Sequence, residues 1–266
     1  MRLVQSRFLL SIQPSPHSDV NQLIEELVRR IESILGSTLV GMYLEGSLVL
    51  GDFDPRTSDI DLLAAVSRDI DEHEFEALRQ MHADIASAYR DWEDRIEVCY
   101  ISVAALRSVK SQASQIVNIS PGEPFHRTED RKEWLMNWCL IREKSTILLG
   151  PSPKTLIEPI SQQEFVQSVK ENARSWAIWV EGTKSRYAQS YAVLSMCRAL
   201  YSFREGDQVS KKGAARWAQG ALPEWSALIQ NAMDWKEAGP GAEPEDGDFP
   251  KAVEFVNHVR SLILDE

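Results

Sequence analysis

Two carboxylates one residue apart, Asp59 and Asp61, stand at the mouth of an apolar segment that continues as Leu-Leu-Ala-Ala-Val. On a strand, residues i and i+2 point to the same face, so this pair lies side by side. Such neighbours repel unless a cation neutralises them. Mg2+ is the hard cation suited to that arrangement, and substrate phosphates usually complete its shell. A third acid, Glu97, sits in the alternating stretch "RIEVCYIS" at 95–102. If that strand neighbours the first, Glu97 joins the cluster. Three carboxylates on adjacent strands suit phosphoryl or nucleotidyl transfer, where ions stabilise both the entering and the leaving oxygen. Upstream, Gly46-Ser47 ends another apolar strand. A glycine there lets the backbone approach a phosphate. The N–H groups of a following helical turn, with the Ser47 hydroxyl, would cradle it. The loop between Ser47 and Asp59 then folds a phosphate grip back onto a metal grip.

Each piece alone has a plainer reading. Gly-Ser is commonly a turn, Asp-x-Asp a solvated strand end or helix cap, and Glu97 a solvent-facing strand residue. The specificity lies in the order: strand, Gly-Ser, loop, Ser-Asp-x-Asp, strand, then a later acid.

The surrounding elements must hold these residues. Residues 18–35 carry apolar positions at helical spacing, with Ser18 as a cap and Gly36 as the stop. Strands are expected at 38–44, 59–66 and 95–102, and a helix at 72–90. Residues 119–130 read as a loop and 131–148 as helix. "GPSPK" at 150–154 is the linker candidate. Beyond it, segments 161–182, 187–204, 210–220, 223–236 and 250–265 all have helical spacing, with a long acidic loop at 237–250. The expectation is an α+β chain: a domain of mixed sheet and flanking helices over residues 1–157, then an all-α bundle over 158–266.

With 266 residues, 43% hydrophobic content and eight Trp, the chain can bury ample core. Its net charge is −11, and neither half is basic: 17 Lys/Arg against 24 Asp/Glu up to residue 157, then 12 against 16. Nucleic acid is therefore a poor partner and a cationic small molecule a reasonable one. Cys99, Cys139 and Cys197 read as buried thiols of a reducing compartment. No targeting segment or membrane span stands out, so the expected location is cytoplasmic.

The pattern at 43–66 resembles the nucleotidyltransferase superfamily, and within it the streptomycin/spectinomycin adenylyltransferases, whose plan is a nucleotidyltransferase domain followed by a helical bundle. The likeness extends to 94–101 and to "LSMCRALYSFREGDQVSKKGAARWAQGALP" in the second half. It implies a monomeric antibiotic-resistance enzyme that transfers AMP from ATP, with Mg2+, to a hydroxyl of a small cationic acceptor of the aminoglycoside type. Gly46 and Ser47 match the phosphate-binding pair, Ser58 a polar residue before the metal acids, and Asp59 and Asp61 the metal ligands. Glu97 matches the third acid, a metal ligand and the base that activates the acceptor hydroxyl. Arg198 and Lys211 match basic residues that reach ATP. Trp179 matches an aromatic residue that stacks on streptomycin, and Glu181 and Asp130 are candidate acceptor contacts. Where family members that take streptomycin carry acids, this chain has Lys184 and Ala188, so streptomycin itself is in doubt.

Bland roles remain for several of these residues. Trp176 and Trp179, three apart on a helix, fit packing, and Arg198 could pair with Glu205. Lys211 and Lys212 open a helix, where positive charge is mildly unfavourable, and that favours a phosphate partner for one of them. Two other functions fit the same residues: an antitoxin-like nucleotidyltransferase that modifies a partner protein, and a non-catalytic nucleotide-binding relative. Retention of all three acids argues against the second.

Overall fold

The computed structural model describes residues 13–129, 134–182, 185–239 and 248–265. The chain divides into two compact units, Met1–Lys132 with Asn137–Pro159, and Glu133–Met136 with Ile160–Glu266.

The first unit is built on a six-stranded mixed sheet in the order β5-β4-β3-β2-β1-β6. Its strands are β1 (Leu39–Leu44), β2 (Ile60–Val66), β3 (Ile96–Ser102), β4 (Gln115–Ser120), β5 (Glu123–Glu129) and β6 (Thr146–Leu149). Only β2 and β3 run parallel; α3 (Glu72–Ala88) lies between them in sequence. The other pairings are antiparallel. Helix α1 (Ser18–Leu35) buries Val20, Leu23, Ile24, Leu27, Val28, Ile31 and Leu35, the stripe its spacing predicts. That stripe joins one core with Met42, Leu44, Leu62, Ala64 and Val98 of the sheet. Gly36 does stop the helix, at φ 53°. Ser18 does not cap it: His17 holds the cap position without a side-chain bond. The entry is tied instead by Ser15 and Asn21, whose backbone and amide exchange bonds of 3.1 and 2.8 Å.

Helix α3 starts in a capping box between Asp71 and Glu74, and Arg68 grips Glu74 with two bonds of 2.8 and 2.9 Å. Its His82 is buried, with Nε2 2.8 Å from the Tyr100 hydroxyl of β3. Phe125 closes over both rings. Burial pushes His82 down to about 4 and Tyr100 well above its ordinary range.

The hairpin β4–β5 occupies much of what reads as a loop from sequence. The reason is its position: β5 is an edge strand with only Phe125 buried, so its polar "EPFHRTE" carries no apolar alternation. The stretch 131–148 is likewise not one helix. It contains α5 (Leu135–Lys144), and then β6 adds to β1.

In the second unit the helices are α6 (Gln162–Gly182), α7 (Arg186–Glu205), α8 (Lys211–Ala221), α9 (Ser226–Ala238) and α10 (Asp248–Asp265). Helix α7 is central, packing on α6, α8, α9 and α10. Eleven of its residues are buried, among them Gln189, Ser190, Ser195 and Ser202. Ser185 caps α7, and Ser210 caps α8 through the Gly213 N–H at 3.0 Å. All three cysteines are free thiols; Cys99 and Cys197 are buried, whereas Cys139 is only partly so. Among the described residues no helix is long and apolar enough to cross a membrane.

Candidate active site

One end of the sheet gathers the C-terminus of β1 and the N-termini of β2 and β3, because Leu44 pairs with Leu62 and Ile60 with Ile96. At this end β1 gives way to Glu45 and the five-residue helix α2 (Gly46–Leu50). Gly46 takes φ 65°, which only glycine adopts readily. Its Cα lies directly against Asp61: a β carbon there would fall on Oδ2 and stand 2.6 Å from Cγ. The Glu45 N–H donates to the Asp61 carbonyl at 3.0 Å and fixes the two segments together.

Asp61 is the register partner of Glu97 across the parallel pair β2·β3, so both side chains project from the same face, and both are half-buried. The condition that β2 and β3 be neighbours is met. Asp59 precedes the first residue of β2. Among the described residues, no group of three or more His, Cys, Asp or Glu is arranged to hold a metal ion by itself. The three acids thus do not present a preassembled cage. Adjacent strands lie about 4.8 Å apart, and Asp59 lies outside the ladder that fixes Asp61 and Glu97. Hard carboxylate oxygens beside a glycine-lined approach nonetheless suit a divalent ion whose remaining ligands are phosphate oxygens.

The loop from Gly51 to Ser58 is held from both sides. Ser58 Oγ accepts from the Asp54 N–H at 3.0 Å, and the Ser58 N–H returns to the Asp54 carbonyl at 2.8 Å. Ser58, expected at the nucleotide, is buried and closes this loop. The Arg56 guanidinium bonded to Asp54 lowers that carboxyl below its usual range. The group that sequence reasoning missed is Arg95. Its guanidinium donates to the carbonyls of Pro55, Ser58 and Asp91 and lies 4.3 Å over the Trp92 ring, which stacks on Phe53. Arg95 immediately precedes β3, so one residue anchors the loop that delivers Asp59 and the strand that delivers Glu97. No motif announces it, because its partners are backbone carbonyls.

In the second unit, Arg198 is half-buried on α7 and Lys211 is the first residue of α8. Trp179 on α6 is 39% exposed, and Glu181 is exposed near the end of the same helix. Trp179 packs at the surface of the bundle, across α6 and α7. It forms a ring trio with Trp176 and Tyr191, with centroids 5.2 to 5.7 Å apart. The Lys211 ammonium lies 3.9 Å from the Tyr191 centroid. Asp130 and Lys184 lie outside the described residues.

Residues 22–137 match the nucleotidyltransferase domain family, and residues 155–261 match the aminoglycoside adenylyltransferase C-terminal domain. The chain is similar to the aminoglycoside (3'')(9) adenylyltransferase of Escherichia coli, with 28% identity over 92% of this chain and 95% of that protein. It is also similar to the spectinomycin 9-adenylyltransferase of Staphylococcus aureus, with 21% identity over 91% and 94%. Its fold is that of the spectinomycin adenyltransferase AAD(9) from Enterococcus faecialis, crystallised with ATP and spectinomycin: TM-score 0.74, 15% identity, 92% of this chain and 99% of that one.

Proposed function

This chain is an aminoglycoside adenylyltransferase-like nucleotidyltransferase, and we propose that it transfers AMP from ATP to a hydroxyl of a small amine-bearing acceptor of the aminoglycoside or spectinomycin type. The observation that carries the reading is the register of Asp61 with Glu97 beside a glycine that no other residue could replace without striking Asp61.

In this reading the acceptor hydroxyl oxygen attacks the α-phosphorus of ATP. A new P–O bond forms, the bond to the β,γ-pyrophosphate breaks, and pyrophosphate leaves with its electron pair. Glu97 takes the hydroxyl proton. Asp59 and Asp61 would hold Mg2+ together with phosphate oxygens. Bound there, Mg2+ supplies charge neutralisation for the entering and leaving oxygens. Gly46 lacks the side chain that would displace the Asp61 carboxylate from beside the phosphate approach, and Ser47 offers its hydroxyl. Ser58 and Arg95 act through the loop, holding Asp59 in place. Arg198 and Lys211 are assigned to the nucleotide phosphates. Trp179, Glu181 and Asp130 are assigned to the acceptor, whose amines an acidic chain of net charge −11 attracts.

Pyrophosphate release from Mg2+-ATP, measured against streptomycin, spectinomycin and kanamycin, tests the reading. Turnover is expected with at least one acceptor and is expected to vanish in Glu97→Gln while Mg2+-ATP still binds by calorimetry. No turnover with any of them, or an active Glu97→Gln, would overturn it.

A further inference from the structure

A rule of local structure is broken at the start of α1. The cap position of a helix favours Ser, Thr, Asp or Asn, whose side chain satisfies a free N–H. Here it holds His17, which makes no side-chain cap bond although Ser18 stands next to it. The residue is fixed in place all the same. The His17 N–H donates to Ser15 Oγ at 3.0 Å, and the His17 carbonyl accepts from the Asn21 N–H at 3.1 Å. Its ring meets Phe53, with centroids 6.0 Å apart at 49°. A local rule given up without a local gain marks a position used for something else.

Phe53 is the only aromatic residue of the loop 51–58 that leads to Asp59. The other ties described for that loop are hydrogen bonds, so Phe53 is its apolar anchor to the core. It stacks on Trp92 at 6.3 Å and 7°, and the Arg95 guanidinium lies 4.3 Å over the Trp92 ring. Trp92 is buried, and the segment that carries it is pinned: Asp94, at φ 58°, accepts from the Gly122 N–H at 2.6 Å. The row His17, Phe53, Trp92, Arg95 thus runs from the entry of α1 to the start of β3, with the loop's one ring inside it.

We propose that His17, Phe53 and Trp92 are positioning residues for Asp59. The segment ahead of α1 clamps Phe53 against Trp92, which keeps the Ser58 carbonyl on Arg95 and Asp59 at the mouth of β2. The proposal rests on the function above only in taking Asp59 as a ligand of the metal and phosphate. An aromatic contact of this kind is worth roughly a twofold to tenfold change in a local equilibrium.

The experiment separates helix capping from loop positioning. His17→Ser supplies the missing cap, so the urea midpoint of the full-length protein should be equal or higher. The loop should nonetheless loosen. Hydrogen exchange of the nucleotide-free protein reads this at the Asp54, Thr57 and Ser58 amides, all bonded within the loop. Exchange there is expected to quicken about fivefold. Calorimetry should show the affinity for Mg2+ with a non-hydrolysable ATP analogue falling by a similar factor. His17→Phe, which also lacks a cap bond but keeps a ring, should behave as the wild type. Phe53→Leu should loosen the loop as His17→Ser does, and adding His17→Ser to it should change nothing further. Wild-type exchange in the His17→Ser loop, quickened exchange with unchanged affinity, or a urea midpoint that falls in step with the loosening overturns the proposal. If AMP transfer is found while the His17 variants match the wild type, the clamp fails alone. If they behave as expected but no acceptor is adenylylated, the clamp stands and the transfer reading fails.

Discussion

Substituting Gly46 by Ala isolates the contact on which the site depends. Two penalties arise. The backbone at φ 65° disfavours any side chain by about 1–3 kcal/mol. Separately, the new methyl would stand 2.6 Å from Asp61 Cγ, about 1 Å inside ordinary carbon contact. Asp61 cannot retreat with its strand, because its carbonyl is held by the Glu45 N–H and its neighbours by β1 and β3. The carboxylate must therefore turn away, and a misplacement of about 1 Å costs roughly a hundredfold in rate. Gly122, in the β4–β5 turn, provides the control. It also has positive φ, at 80°, but a β carbon there meets nothing within 4 Å. Gly122→Ala should therefore show only the backbone penalty. Urea unfolding and pyrophosphate release on both variants separate the terms. Both should lose about 1–3 kcal/mol, and only Gly46→Ala should lose about two orders of magnitude in turnover. A Gly46→Ala protein within threefold of wild-type turnover would refute the claim that Asp61 must stay where Gly46 allows it.

Asp61→Asn should abolish transfer while leaving the melting temperature equal or higher without metal, because it removes the repulsion with Glu97; a fall in Tm would assign Asp61 a structural role instead. Arg95→Met should cost about 1–3 kcal/mol in urea unfolding by stranding loop carbonyls, and should raise the KM for ATP as the loop before Asp59 loosens. The buried His82 predicts an acid-sensitive fold. Its native value, about 4, lies below the unfolded value of about 6.5, so the unfolded chain binds the extra proton between them. Stability is therefore complete above pH 6.5 and falls as pH drops from 6.5 towards 4, by on the order of 3 kcal/mol at the limit. His82→Phe should flatten that slope in urea melts at pH 7 and pH 4.5.

What the sequence made legible follows from where each signal resides. Helix α1 announces itself because its burial is periodic, strands β1 to β3 because they are short apolar runs buried almost throughout, and Gly46-Ser47 with Asp59-x-Asp61 is a local pattern. The pairing of Asp61 with Glu97 needed one further fact, that β2 and β3 are neighbours, which the α3 connection makes reasonable but no residue encodes. The polar edge strand β5 and the short β6 carried no such periodicity. Arg95 escaped notice because it bonds to backbone carbonyls, which have no sequence signature. Tyr191 escaped because its meeting with Trp176 and Trp179 depends on how α6 packs against α7. Trp176 was visible, and its half-buried place against Trp179 and Tyr191 is the packing its spacing fits.

The short excursion of residues 134–136 into the second unit constrains how the protein can be cut apart. The Met136 N–H donates to Ser168 Oγ of α6 at 2.9 Å, and Leu135 and Met136 are both buried. A gene divided after Pro159 would therefore give neither half its full complement. The helical fragment would leave Ser168 without this donor, and the sheet fragment would keep two apolar side chains that belong to the other unit. Each such side chain is worth about 1.5–3 kcal/mol when buried. The two modules are thus stitched rather than strung. Recombination that swaps the helical part for a relative's must carry residues 134–136 along with it, so a single crossover in the linker yields a mismatched seam. Exchange of acceptor preference between such proteins is easier by point substitution than by shuffling of whole domains.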